Sequence, residues 1–307
     1  MKILFYIHGY PPTHNAGAEW MAYDMIERLK QNHTVTVITR NAKNGFQEGV
    51  NVEELSLLTI KTKFSESDII FTHLDFTGKA HNIARLSDRR KLFVIVHNTN
   101  KYAIIDRRHN QFNIIYNSVY TSSLNYQQRS IIFRPPLIAE RYKAEKTGKN
   151  YITLVNCWPD KGGQILIELA KLMPDRNFLG VKGSYGEQVT AQLPNLKYVE
   201  NGTDMRSIYA DTEIYIQPST YESYGKAACE AMSTGCAVIC TETPGLKEAL
   251  DYAGIYVERN AQAYKEAIER IDIEKQRELS LKRAQELIEM TETDFETLEK
   301  FIKTWKN

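Results

Sequence analysis

The sequence predicts an α/β protein of two doubly wound domains, each a parallel sheet with helices on both faces. Strand-like apolar runs alternate with amphipathic helical stretches along the whole chain, which is the pattern of parallel sheets with crossover helices. The 307 residues, of which 42% are hydrophobic, suffice for two domain cores. A polar, turn-prone stretch at residues 145–150 follows Arg134-Pro135-Pro136 and divides the chain near its middle.

Eleven strands are predicted from apolar runs of three to seven residues. Five lie in the first half: Lys2–His8, Thr34–Thr39, Asp68–His73, Lys91–His97 and Asn113–Tyr116. Six lie in the second half: Tyr151–Asn156, Asn177–Val181, Lys197–Glu200, Glu213–Gln217, Cys236–Cys240 and Ile255–Val257. The predicted domains are therefore 1–147 and 148–291, and the tail at 272–306 is nearly all helical in pattern.

The bulk composition favours a soluble cytoplasmic protein. No apolar run reaches the length of a membrane span, and Met1-Lys2 leads directly into a strand rather than a signal-peptide core. All four cysteines lie in the second half, where no histidine occurs, and their spacing matches no zinc pattern. We expect them to be buried free thiols.

The segment Gln217–Met232 carries the strongest functional signal. Glu222 and Glu230 flank Gly225 at the predicted start of a helix that follows a strand. A helix N-terminus offers unpaired N–H groups and the positive end of the helix dipole, so it suits a phosphate group. The two carboxylates lie about 10 Å apart along the axis, which lets them hold two parts of one long ligand. That separation fits a nucleotide sugar.

The same segment resembles the signature of the retaining GT-B glycosyltransferases of family four: Glu, seven residues and Glu, with aromatic-Gly after the first and Ala-Met after the second. Gly235–Ile239 and Pro244–Ala249 are also similar to the strand and loop that follow in that family. The resemblance implies a GT-B fold, in which two Rossmann-like domains face a central cleft with the active site. It also implies that the last helix, 292–307, packs back on the first domain.

The resemblance assigns roles to residues of the second domain. Glu222 with the backbone of Ser223, Tyr224 and Gly225 would hold the donor sugar, Lys161 and Lys226 the phosphates, and Glu230 the ribose. Asn156-Cys157-Trp158-Pro159-Asp160-Lys161-Gly162 resembles the family's Arg-x4-Lys-Gly element. Asn156 replaces the arginine and brings no charge, which implies either a slower enzyme or a compensating cation from elsewhere, for which Lys226 is a candidate.

Two further positions belong to the first domain. The loop that ends Ala16-Gly17-Ala18-Glu19 resembles the family's Gly-Gly-x-Glu loop, in which Gly17 would allow a backbone N–H to approach the donor phosphate. His97 ends a predicted strand, where a doubly wound domain places its site. The family has a histidine at such a position facing the donor sugar, so His97 is a catalytic candidate.

Charge is distributed unevenly between the halves. Residues 1–147 hold 20 basic and 13 acidic residues, a net +7, which leaves −6 for the remainder. Arg107 and Arg108 lie in a basic stretch near His97, with Arg85, Arg89, Arg90, Lys91 and Lys101. These residues predict an anionic acceptor: a lipid-linked or phosphorylated glycan at the inner face of the membrane, an acidic polysaccharide, or DNA with hydroxymethylated bases. Uneven surface charge without a partner is the alternative.

The predicted reaction is transfer of a sugar from a nucleotide-diphosphate sugar to a hydroxyl acceptor, with retention at the anomeric carbon. No Asp-x-Asp triplet occurs, so we expect no metal and no cofactor beyond the donor co-substrate. Two other readings stay open: a nucleotide-sugar epimerase, and an inactive nucleotide-sugar-binding protein, which the change at Asn156 suggests. The sequence does not identify the nucleotide base or the sugar of the donor, the acceptor, or the oligomeric state.

Overall fold

The computed structural model describes residues 1–40, 42–45, 47–84, 91–98, 112–124, 128–184 and 186–304. The chain divides into two compact units. Unit 1 comprises Met1–Pro136 and the chain from Thr291 onward, and unit 2 comprises Leu137–Met290. Unit 2 is therefore an insertion within the sequence of unit 1.

Unit 1 contains a seven-stranded sheet in the order β3-β2-β1-β4-β5-β6-β7, and its paired strands run parallel. The strands are β1 (Lys2–Tyr6), β2 (Thr34–Thr39), β3 (Asn51–Glu54), β4 (Ile69–His73), β5 (Leu92–Val96), β6 (Asn113–Tyr116) and β7 (Ser130–Ile132). The helices described before the chain enters unit 2 are α1 (Gly17–Leu29), α2 (Leu57–Glu66), α3 (Phe76–Ala84) and α4 (Val119–Leu124).

Unit 2 contains a six-stranded parallel sheet in the order β10-β9-β8-β11-β12-β13. The strands are β8 (Tyr151–Val155), β9 (Phe178–Val181), β10 (Leu196–Val199), β11 (Thr212–Gln217), β12 (Ala237–Thr241) and β13 (Gly254–Val257). The helices are α5 (Gly163–Leu172), α6 (Arg206–Asp211), α7 (Lys226–Ser233), α8 (Pro244–Leu250), α9 (Ala261–Arg270) and α10 (Ile273–Lys303), the last of which continues into unit 1. The two sheets confirm the predicted α/β class.

In both sheets the strand order reverses at the first strand of the unit. β1 lies between β2 and β4, and β8 lies between β9 and β11. The chain leaves neighbouring strands in opposite directions at such a point, which opens a crevice at their carboxyl ends where doubly wound domains bind ligands. The loops that follow β1, β4, β8 and β11 are therefore the ones placed to form sites.

The strands are buried on both faces. In β1, Ile3 and Phe5 join one core cluster, while Leu4 and Tyr6 join the other, because successive side chains point to opposite faces of a sheet. Unit 2 likewise has two core clusters. The sequence prediction lacks β3 and β7, which are edge strands of four and three residues. So short an edge strand buries little apolar surface and leaves no periodic signal.

The first unit boundary lies after Pro136, whereas the sequence predicts it after residue 147. Leu137 and Tyr142 belong to a core cluster of unit 2. The Nζ of Lys146 donates to the carbonyls of Tyr209 at 2.9 Å and Thr212 at 2.8 Å. The predicted linker is polar in sequence, yet these long-range contacts make it part of unit 2.

All four cysteines are free and buried. Burial raises the pKa of the Cys157, Cys229 and Cys240 thiols to about 12, which keeps them protonated and unreactive at neutral pH. None of the helices that the structure describes combines the length and the apolar content needed to cross a membrane.

Helix α10 contributes to the cores of both units. Its early residues Ala284 and Leu287 pack in unit 2, and its later residues Phe295, Leu298 and Ile302 pack in unit 1. The later part of the helix is therefore a structural element of unit 1, although it is separated from the rest of that unit by the whole of unit 2.

Arg134 fastens this part of α10 to unit 1. Its backbone N–H donates to Asp294 Oδ2 at 2.9 Å, and its Nη1 donates to Oδ1 at 3.0 Å and to Oδ2 at 3.1 Å. Burial raises the pKa of Asp294 even though Arg134 opposes that shift. The carboxylate is thus desolvated and depends on the arginine.

We predict that Arg134→Ala lowers the free energy of unfolding by about 3–5 kcal/mol, because it leaves a buried carboxylate without its cation. Lys300→Ala, on the same helix but 78% exposed, is the matched control and should change it by about 1 kcal/mol or less. Urea unfolding of both variants measures the difference. Equal effects would contradict the assigned role of the Arg134–Asp294 pair.

Candidate active site

Lys161 and Glu222 lie in neighbouring loops at the reversal point of unit 2. β8 ends at Val155 and is followed by a 3₁₀ turn, Pro159–Lys161, which leads into α5. β11 ends at Gln217 and is followed by the loop that leads into α7. Because β8 and β11 are parallel neighbours, their loops leave the same edge of the sheet side by side.

The two loops are hydrogen-bonded to each other. The N–H of Thr220 donates to the carbonyl of Asp160 at 2.8 Å. Arg259, just before α9, donates from Nε to the carbonyl of Pro218 at 2.7 Å and from Nη2 to that of Pro159 at 2.8 Å. One guanidinium therefore binds the backbone of both loops and holds them at a fixed separation.

The loops also touch at Gly162, directly after Lys161. Gly162 has φ +100°, a left-handed conformation that favours glycine, and a Cβ at this position would collide with the Pro218 ring. Gly162 also marks the start of α5. The lack of a side chain here is what lets the Lys161 turn approach the loop after β11.

Glu222 accepts three hydrogen bonds on one carboxylate oxygen. Lys161 Nζ lies 2.6 Å from Oε1, Gln217 Nε2 lies 2.7 Å away and Ser219 Oγ lies 2.8 Å away. The Glu222 and Lys161 side chains are 12% and 28% exposed, so the pair is shielded but reachable. Lys161, the predicted phosphate-binding residue, and Glu222, the predicted sugar-binding residue, thus form an ion pair in the protein alone.

Helix α7 presents its N-terminus beside this pair. Gly225 precedes the helix with φ +113°, and a Cβ there would lie 2.5 Å from Leu246 Cδ2. Ser223 packs its backbone against Gly245 at the start of α8, and Tyr224 is buried in the core. The predicted segment is therefore held by its backbone, and the first N–H groups of α7 form a site suited to an anion.

Glu230 lies on the second turn of α7 and is held by two tyrosines. Tyr142 OH donates to Oε1 at 2.7 Å and Tyr209 OH donates to Oε2 at 2.9 Å. Burial and the Glu230 charge raise the pKa of Tyr209 far above its usual range, so it remains a neutral donor. Lys226 Nζ lies 3.7 Å from Oε1 and compensates the charge.

Asn156 occupies a turn that an arginine would fit poorly. Its φ of +72° is left-handed, a conformation that asparagine tolerates better than other non-glycine residues. Its Oδ1 accepts from the N–H of Trp158 at 3.2 Å. Its side chain also packs where a Cβ on Gly183 would be. Asn156 therefore shapes the loop after β8, and this accounts for its presence there.

In unit 1, His97 follows β5 and forms a buried imidazole pair. His73 Nδ1 lies 2.9 Å from His97 Nε2, and Asn117 Nδ2 donates to the carbonyl of His97 at 3.1 Å. Burial lowers the pKa of His97 to about 4, against the attraction of Glu19, which raises it. His97 is therefore neutral at pH 7 and acts as a hydrogen-bonding group. Gly17, the first residue of α1, has open space in front of its backbone, since a Cβ there meets nothing within 4 Å.

The predicted basic acceptor surface is only partly visible. Arg107 and Arg108 lie outside the described residues. Lys91 is described, and its assignment to a charged surface is wrong: it is 7% exposed and donates to the backbone carbonyls of Phe64 and Ser67. Lys91 therefore binds backbone carbonyls inside unit 1 and is not part of an exposed basic surface.

The sequence prediction missed Arg259, Tyr142, Tyr209 and His73. Arg259 reaches loops 41 and 100 residues away, and Tyr142 reaches Glu230 across 88 residues. No local pattern encodes such contacts. The one available signal was that His73, like His97, ends a predicted strand.

Comparison with known proteins agrees with this geometry. Residues 155–272 match the family described as "Glycosyl transferases group 1". That segment contains Lys161, Glu222, Gly225 and Glu230. No curated protein matches the chain in sequence.

Solved structures show that the chain has the GT-B fold. HepE from Anabaena, solved with UDP and glucose, has a TM-score of 0.79 at 18% identity, over 97% of this chain and 99% of that chain. Sucrose-phosphate synthase from Thermosynechococcus elongatus has a TM-score of 0.76 at 16% identity, over 99% and 98%. WaaG, a glycosyltransferase involved in lipopolysaccharide biosynthesis, has a TM-score of 0.60 at 13% identity, over 95% of each chain.

We predict that Gly162→Ala destabilises unit 2 by about 2–4 kcal/mol, through left-handed strain and the collision with Pro218. Gly148→Ala is the control, because Gly148 also has positive φ but a Cβ there meets nothing within 4 Å. The free energy of unfolding of this control variant should fall by about 1–2 kcal/mol. Denaturant unfolding compares the two. If the free energy of unfolding falls equally in both variants, the close contact between the loops does not contribute to stability.

Proposed function

We propose that the protein transfers a sugar from a nucleotide-diphosphate sugar to a hydroxyl acceptor, with retention at the anomeric carbon. The observation that carries this proposal is the convergence of Lys161, Glu222 and the N-terminus of α7 at the reversal point of unit 2. These groups lie within the segment that matches the glycosyl transferases group 1 family. Together they supply a cation and backbone N–H groups for a diphosphate, and a carboxylate for sugar hydroxyls.

The Lys161–Glu222 pair suggests how the donor enters. A diphosphate carries more charge than a carboxylate and competes for Lys161, which lies 2.6 Å from Glu222 Oε1 in the protein alone. When Lys161 turns to the phosphate, Glu222 becomes available to accept from sugar hydroxyls. Gln217 and Ser219 keep the carboxylate in position during this exchange.

Glu230 is proposed to bind the donor ribose. Each of its carboxylate oxygens accepts one tyrosine hydroxyl and has a further lone pair for a ribose hydroxyl. The two tyrosines fix its orientation before the nucleotide arrives, which lowers the entropic cost of binding. Lys226, on the same helix, is proposed as a second phosphate cation that compensates for the neutral Asn156.

The proposed chemistry depends on stabilising the leaving diphosphate. Lys161, Lys226 and the N–H groups of α7 supply fixed positive charge where negative charge develops, so no metal ion is required for this step. The departing phosphate then guides the acceptor onto the same face of the sugar. His97 is proposed to hydrogen-bond the reacting side of the sugar as a neutral imidazole, and the backbone at Gly17 to approach the donor phosphate.

The acceptor is proposed to be anionic, because unit 1 holds 20 basic and 15 acidic residues, a net +5. A lipid-linked or phosphorylated glycan or an acidic polysaccharide is the first choice, and DNA with hydroxymethylated bases is the alternative. The salt dependence of acceptor KM separates a charged acceptor from a neutral one.

Incubation with radiolabelled donors tests the function. UDP-glucose is the first donor to try, since HepE has been solved with it. Transfer to an added acceptor, with the donor unchanged in its absence, supports a transferase, and NMR of the product reports the anomeric configuration. Conversion of the donor alone would indicate an epimerase. Binding without turnover of any donor or acceptor would indicate an inactive binding protein.

We predict that Lys161→Ala lowers kcat/KM by tens-fold or more, or about 2–4 kcal/mol, because it removes a charge-assisted contact to the leaving group. Lys149→Ala is the matched control. Lys149 lies before β8, at the opposite edge of the same sheet, and is 59% exposed. Steady-state kinetics compares the two variants. Turnover by Lys161→Ala at the wild-type rate would remove Lys161 from the mechanism.

We predict that Glu230→Ala weakens binding of the bare nucleotide diphosphate at least about tenfold, by loss of a charged hydrogen bond to the ribose. Glu222→Ala should leave that affinity nearly unchanged and lower turnover instead, because the bare nucleotide has no sugar for Glu222. Calorimetric titration with UDP in EDTA measures both variants. The opposite pattern would show that the two carboxylates have exchanged roles.

A further inference from the structure

A cluster of metal-ligating side chains lies in unit 1, and the proposed function gives none of its three members a role. His8, His14 and Glu19 each offer one ligand atom, and these three atoms all lie within 4.8 Å of one another. Four of the seven histidines in the chain, His8, His14, His73 and His97, contact one another at this edge of the sheet.

The fold brings these residues together at the reversal point of unit 1. His8 follows β1 by two residues, and Glu19 lies in the first turn of α1. His14 lies on the loop between them and packs over Gly9, where a Cβ would lie 2.5 Å from His14 Cγ. Any side chain at Gly9 would push His14 away, so the glycine makes the approach of the three groups sterically feasible.

The donor set suits a divalent transition metal ion. Glu19 is fully buried, and its Oε1 lies 3.0 Å from His8 Nε2. A buried carboxylate is stabilised by hydrogen bonds, by paired charges or by a metal ion. Two imidazoles and one carboxylate oxygen are ligands that Zn²⁺ and its neighbours prefer, whereas Mg²⁺ and Ca²⁺ prefer oxygen. Tetrahedral Zn²⁺ places its ligand atoms about 3.4 Å apart, so side-chain rotations would close the cluster.

Groups around the cluster match the surroundings of bound metal ions. Asp75 Oδ1 lies 3.7 Å from His8 Nδ1, which is beyond hydrogen-bond distance but places a second carboxylate beside the His8 ring. The ring of His73 lies 5.3 Å from that of His8. His73 is fully buried, and its Nε2 has no hydrogen-bond partner among the residues that the structure describes. A buried nitrogen without a hydrogen-bond partner is thus carried by the ring that packs next to His8.

We propose that His8, His14 and Glu19 form a binding site for Zn²⁺ or a similar divalent transition metal ion, with the fourth position open to water. The ion joins the loop after β1 to the start of α1. It supplies positive charge beside the buried carboxylate of Glu19. The site lies in unit 1 close to Gly17 and His97, to which donor contacts are also proposed, whereas Lys161, Glu222 and Glu230 lie in unit 2. Binding of the ion can be measured without any transferase activity.

Titration with Co²⁺ and Zn²⁺ tests the site on the full chain after dialysis against EDTA. We expect one equivalent of Co²⁺ to bind with visible d–d absorption bands, and Zn²⁺ to displace it. His14→Ala and Glu19→Gln should each weaken binding by about tenfold or more, as loss of a ligand requires. His33→Ala is the control, since His33 lies near the chain amino terminus, 3.4 Å from the Met1 nitrogen, and should bind as the wild type does.

Absence of saturable binding would overturn the proposal, and so would binding by His14→Ala that equals the wild type. His14 lies on a partly exposed loop, so the variant should fold, and circular dichroism of the variant checks this. Titration of the same samples with UDP separates this inference from the proposed function. A His14→Ala variant that loses Co²⁺ but binds UDP supports the metal site alone.

Discussion

The contact between the loops after β8 and β11 is the constraint on which the candidate active site depends. Reversal of the strand order opens a crevice there but does not fix the separation of its two walls. That separation comes from the glycine at 162, from the Thr220–Asp160 backbone bond and from the guanidinium of Arg259. Lys161 Nζ lies 2.6 Å from Glu222 Oε1 because the two loops are held together by these contacts. No role in the proposed reaction is assigned to the residues that make them.

The charges of the site are arranged in two pairs with different properties. Lys161 and Glu222 are partly exposed, so a ligand of higher charge can separate them. Glu230 is buried and is also held by Tyr142 and Tyr209, so it keeps its position whether or not Lys226 stays at 3.7 Å. The first pair can therefore be separated by a competing charge, whereas the second is fixed by additional hydrogen bonds.

Much of the fold and part of the site can be predicted from the sequence. Apolar runs locate eleven of the thirteen strands in the described part of the chain, because strands buried on both faces are continuous in hydrophobicity. Glu222, Gly225 and Glu230 can be recognised as candidate site residues because they lie within one short segment. Arg259, Tyr142 and Tyr209 are not, since their roles come from contacts across long sequence separations. Lys91 shows the opposite error: a lysine next to arginines in sequence is buried, because a nearby helix end offers it backbone carbonyls.

The position of α10 has a consequence for biosynthesis. Translation proceeds from the N-terminus, so all of unit 2 is synthesised before Phe295, Leu298 and Ile302 leave the ribosome. Until then the nascent sheet of unit 1 exposes the apolar surface that these residues later cover, including the ring of Phe133, which stacks edge-on against Phe295. Unit 2, the second unit to begin in sequence, is thus the first that can finish folding, and unit 1 stays incomplete for the time that about 150 residues take to be made.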